Sequence, residues 1–98
     1  MTEVAQISYQ RSDIIVVLRT LNELVVSLGR IGSRSSEVTK TQFDANLARF
    51  VIERDVTGKL AHARRVLSVA FDDRIGADGL DELERLMQDV EYWGGDVA

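Results

Sequence analysis

Apolar residues recur at helical spacing along most of this chain. In the first stretch they are Ile14, Val17, Leu18, Leu21, Leu24, Val25 and Leu28, which fall on one side of an α-helix. Ile15, Val16 and Val26 lie off that side, so the helix is apolar on more than one face and has to be buried on more than one face. The pattern predicts either the central helix of a bundle or a helix at a dimer interface. The β-branched run Ile14, Ile15, Val16, Val17 favours a strand, but a strand would break the spacing that continues through Leu28. Ser12 or Asp13 is the expected cap. Gly29 and Gly32 are the expected stop, in a polar and basic loop.

A second stripe, Phe43, Leu47, Phe50 and Val51, extends toward Val56. Its helix is expected to begin near Ser36 or Thr41, with Thr41 and Asp44 as a variant capping box. Leu60, Ala63, Leu67, Ala70 and Phe71 form a further stripe whose phase does not continue the previous one. The slip falls at Gly58, which predicts a kink there or a meeting of two helices. Residues 72–77 read as a turn. Asp78 is the expected cap of a last helix over residues 80–93, carrying Leu80, Leu83, Met87 and Val90, with Leu86 beside them. Trp93 extends that stripe and by itself reads as a cap on the bundle's end. Gly94 and Gly95 stop it.

These elements predict an all-α fold, a small antiparallel bundle of three to four helices in one domain over residues 1–98. Residues 1–10 form a loosely held arm and residues 94–98 a free tail. The chain has no proline and no cysteine. The first favours long helices; the second excludes disulfides, thiolate metal sites and a cysteine nucleophile, and fits a cytoplasmic protein. No apolar run exceeds the five residues 14–18, far short of the roughly 20 that span a bilayer, and no secretory signal pattern opens the chain.

The net charge of −4 is unevenly distributed. Residues 72–98 hold nine acids against two bases, and the first 71 residues hold ten bases against seven acids. The asymmetry reads either as a solvated or internally matched face, or as an acidic face for a basic partner. Five cations, Arg30, Arg34, Lys59, Arg64 and Arg65, are available for phosphates, but the acidic total argues against nucleic acid.

No constellation assembles into an active site. The serines Ser33, Ser35 and Ser36 sit in a loop without a glycine-flanked elbow, and no phosphate-binding loop is present. A lone histidine and no cysteine leave only carboxylates for a metal. Asp72, Asp73 and Asp78 lack the alternation and closing glutamate of a calcium loop. No catalytic residue, metal or cofactor is expected.

Three partial resemblances bear on function. Ala61-His62, with Gly76-Ala77 downstream, resembles parts of the histidine-phosphotransfer domains, which implies a bundle with His62 as phosphoryl acceptor and Arg65 at the position of that family's lysine. Position 66 is valine where the family has the glycine that admits its docking partner, and Gly76-Ala77 falls several residues too late. The run from Arg34 to Lys40 resembles the turn after the first helix of the all-helical chorismate mutases, implying a cofactor-free enzyme that orients a dianion with arginines. Arg11 and Arg19 do not fall at matching spacing for it. Tyr92 with Asp96, and equally Tyr9 with Asp13, is similar to the Tyr-x-x-x-acid tail of small helical exported partners of some actinobacteria, whose central Trp-x-Gly turn is missing here.

The composition therefore points to the surface. The expected function is a protein–protein interaction module, a regulatory adaptor or inhibitor of the immunity or antitoxin type, homodimeric through the first helix. The expected contact face is the acidic last helix, with Asp81, Glu84, Asp89, Glu91 and Trp93 meeting a basic protein. A phosphotransfer domain using His62 and Arg65 and a small mutase-type enzyme are the alternatives.

Overall fold

The computed structural model describes residues 6–95. Four helices follow in chain order: α1 (Arg11–Ser33), α2 (Lys40–Glu53), α3 (Val56–Ser68) and α4 (Glu82–Leu86). No strand occurs among the described residues, so the fold is all-helical. The chain divides into two compact units, Met1–Leu67 and Ser68–Ala98.

The first unit holds the three long helices, packed together. α1 begins after Gln10, which carries no side-chain cap, so neither Ser12 nor Asp13 is the cap; both lie inside the first turn. There Asp13 meets the positive end of the helix dipole, and Arg30 meets the negative end in the last turn. Gly29 and Gly32 do not end α1. Neither has a positive φ, and the helix runs on to Ser33. A glycine weakens a helix by about 1 kcal/mol but does not turn the chain by itself; here Ile31, between the two, is half-buried and holds the last turn in place.

The capping box of α2 lies two residues earlier than the sequence suggested. The Thr39 hydroxyl accepts from the Gln42 N–H at 3.1 Å, and the Thr39 N–H donates to Gln42 Oε1 at 3.0 Å. Gln42 is an ordinary partner for such a box, and Val38 and Phe43, both half-buried, stand at the positions of a hydrophobic staple. Asp44, expected in the box, instead accepts from Lys40 at 2.6 Å one turn back.

The phase slip separates two helices, and the break is at Asp55 rather than Gly58. Asp55 takes a left-handed φ of 48°, which an aspartate tolerates better than most residues. Its carboxylate accepts from the Gly58 N–H and its carbonyl from the Lys59 N–H at 2.9 Å. Asp55 thus satisfies two of the donors that a helix start leaves open. α3 ends at Ser68, so Ala70 and Phe71 lie beyond it.

Val17 and Leu24 of α1 and Ala63 of α3 are the buried core residues among those described. Lys59 Nζ donates to Glu23 Oε1 at 2.7 Å, joining α3 to α1. The Tyr9 hydroxyl donates to the Leu67 carbonyl at 2.6 Å, so the described part of the expected N-terminal arm is tied to the end of α3. Residues 1–5 of that arm lie outside the described residues, as do residues 96–98 of the expected tail.

The second unit is mostly irregular. The last helix, expected over residues 80–93, covers only Glu82–Leu86. Its cap is Asp81, not Asp78: Asp81 Oδ1 accepts from the Glu84 N–H at 2.8 Å, and Glu84 Oε1 accepts from the Asp81 N–H at 3.1 Å. The helix stops because a longer one would set Asp89 and Glu91 against its negative C-terminal end. Isolated helices shorter than roughly a dozen residues are marginal even without that penalty.

Candidate functional site

The two arginines of the acidic segment, Arg74 and Arg85, each take one carboxylate. Arg74 donates to Asp72 from Nε and Nη2 at 3.0 and 2.7 Å, and the Arg74 N–H adds a bond at 3.0 Å. Arg85 grips Asp78 with Nε and Nη2 at 2.8 and 3.0 Å, and Asp78 also accepts from the Leu80 N–H. Both are forked, charge-assisted contacts. Arg85 Nη2 also donates to the Leu80 carbonyl, and the Gly76 N–H closes the turn on the same oxygen at 2.9 Å. Asp72 and Asp78 are therefore occupied. Among the described residues no three metal-ligating side chains come together.

These contacts leave a pH signature. The Arg74 guanidinium, with the Arg74 backbone N–H, lowers the Asp72 carboxyl from 3.8 to about 2. The Arg85 guanidinium, with the Leu80 N–H, does the same to Asp78. A carboxyl lowered by folding stabilises the fold above its unfolded value, and that contribution is lost as pH falls through the folded value. The turn over residues 72–85 is thus expected to loosen between about pH 4 and pH 2. An NMR titration of the Arg85 Nε–H and the Gly76 amide should follow it. A midpoint at the ordinary carboxylate value would show that the forks do not form in solution.

The five residues expected to make one contact face do not share a helix. Asp81 and Glu84 cap α4 and hold each other's backbone. Glu82, beside them, accepts from the Asp72 N–H at 2.8 Å. Asp89, Glu91 and Trp93 follow α4 in irregular backbone. Asp89 and Glu91 make no hydrogen bond or ion pair among the described residues. Trp93 is 92% exposed and Tyr92 78%, so Trp93 does not cap a bundle. Gly95 sits at φ +71°, and a side chain at that position would crowd the Trp93 ring. Residues 91–94 line a shallow open depression.

His62 and Arg65 are exposed on α3, with Arg65 in its last turn. Val66, in place of the glycine of phosphotransfer domains, is half-buried. The arginines of an enzyme pocket are not gathered. A cavity of about 400 Å³ near the end of α1 is lined by Arg30, Ile31, Arg34, Val38 and Asn46, chiefly through apolar atoms. Arg30 and Arg34 thus contribute their stems, as long cationic side chains do when the charged heads stay in water. A second depression, lined by Ile15, Val16, Arg19, Thr20, Glu23 and Lys59, is wide open. The Lys59 hydrogen bond holds the Glu23 carboxyl below its ordinary value, so these two charges pair with each other.

The feature that sequence reasoning underweighted is the exposure of α1. Leu18, Leu21, Val25 and Leu28 are 43% to 68% exposed. Their presence on an over-apolar helix was visible; which side the rest of the fold would leave open was not.

No helix among the described residues is long and apolar enough to cross a membrane. Compared with family models, curated proteins and solved structures, the chain matches none.

Proposed function

We propose that this chain is a protein–protein interaction module, a regulatory adaptor or inhibitor of the immunity or antitoxin type, that meets a basic protein through its acidic C-terminal segment. The observation that carries the reading is the pairing of a fully open indole, Trp93, with the unmatched carboxylates Asp89 and Glu91. Tryptophan and tyrosine are the side chains that most often anchor an interface. Carboxylates without an internal partner steer a basic protein toward them. Asp81 and Glu84 are assigned to the same contact, with the capping of α4 as their first role. The reading takes α1, α2 and α3 as a small antiparallel bundle that carries this segment.

Capture from native lysate supplies the partner, and titration of the purified pair tests the site. Asp89→Lys with Glu91→Lys should weaken binding at low salt by about tenfold or more, mainly through the association rate. Trp93→Ala should weaken it through dissociation. The partner should carry a basic patch. Unchanged affinity in both variants, with helicity retained, would overturn the assignment of this segment.

A further inference from the structure

On α1, Val17 and Leu24 mark the buried face. Beside it, Ile14, Leu18, Leu21, Val25 and Leu28 follow at steps of four, three, four and three, the seam spacing of paired helices. Leu18 is 57% exposed, Leu21 43%, Val25 68% and Leu28 46%. The charges between positions 14 and 28 are Arg19 and Glu23, and helical geometry puts both on the other side of the helix. Glu23 is turned to Lys59.

We propose that this stripe packs against the same stripe of a second copy, making the chain a homodimer through α1. The proposal does not depend on the contact assigned to residues 89–93. Three observations select a second copy as the occupant. The stripe is free of charge, so it calls for no oppositely charged partner and two copies do not repel each other across it. Its spacing is that of a seam about 21 Å long, and a two-fold axis supplies a matching seam at no further requirement. The area also fits. Complete cover of two such stripes, with these exposures, removes at most roughly 1,000 Å², the lower bound for a specific interface. The dimer is therefore weak and concentration-dependent. It also extends a core whose buried members, among the described residues, are Val17, Leu24 and Ala63, small for a domain of this length.

Sedimentation across the micromolar range tests it. The mass should rise from 11.0 kDa toward twice that value. Leu18→Gln with Val25→Gln should raise the dissociation constant at least about a hundredfold, with helicity unchanged at dilution. Val26→Gln, off the stripe, should leave the curve in place, as should Asp89→Lys with Glu91→Lys. Should the double glutamine variant lose its helix, Leu21→Cys decides. The chain has no cysteine of its own, position 21 is the centre of the stripe, and mild oxidation should link two copies there and not in Val26→Cys. A chain that stays at 11.0 kDa throughout, a double glutamine variant that self-associates like the parent, or no linkage at position 21 would each overturn the proposal.

Discussion

Leu24→Ala should destabilise the fold by about 2–4 kcal/mol, whereas Val25→Ala, the next residue, should change it by less than about 0.5 kcal/mol at dilution. Leu24 is 6% exposed and Val25 68%. Truncating Leu24 removes buried methyl groups and leaves a cavity that the surrounding helices fill only in part. Truncating Val25 removes atoms that already face water. A domain of this size has a total stability of about 5–10 kcal/mol, so the first variant should lose a large share of it and unfold at a clearly lower urea concentration. Urea unfolding followed by circular dichroism, at a concentration too low for self-association, measures both. Equal losses would mean that the buried face of α1 is not the one marked by Val17 and Leu24. At higher concentration Val25→Ala should acquire a cost of its own, because partner binding raises the stability of the form that binds.

The apolar pattern of α1 was legible because five long apolar residues repeat at seam spacing over four turns. Its end was not. Gly29 and Gly32 looked like a stop, yet neither enters the left-handed backbone by which a glycine closes a helix. Local chemistry also hid the caps. Thr39 with Gln42 fits the capping-box pattern and Thr41 with Asp44 fits it only loosely; the staple of Val38 and Phe43 supports the first as well. The last helix was overextended because its apolar spacing was weighed without the acids at its far end.

The candidate contact residues divide in the same manner. The acidic bias of the last segment was plain from charge counting. Charge counting does not say which carboxylates are already occupied. Asp72 and Asp78 are taken by arginines, and Asp81 and Glu84 by each other's backbone. Asp89 and Glu91 remain, beside a tryptophan that the sequence placed at the end of a bundle and the structure places in water. An isolated Trp at the end of an amphipathic run reads as core unless the helix beneath it is known to stop early.

Gly58→Ala should lower stability by about 1 kcal/mol, the reverse of the usual gain of about 1 kcal/mol when alanine replaces glycine in a helix. Gly58 lies in the first turn of α3. A methyl group there would meet the Asp55 carboxylate well inside contact distance. Asp55 can swing away only by giving up its bond to the Gly58 N–H. The alanine therefore removes the cap and leaves the donor open. Asp55→Gly alone should be nearly neutral, since it loses the same cap but relieves a left-handed backbone cost of about 1 kcal/mol. In that background Gly58→Ala has nothing to strike and should show the ordinary helix gain. The two sites should thus be coupled by about 2 kcal/mol in a double-mutant cycle, with a change of sign between backgrounds. Thermal unfolding of the four proteins measures it. A stabilising Gly58→Ala in both backgrounds would mean that Asp55 does not cap α3, and that the break between α2 and α3 is held by packing alone.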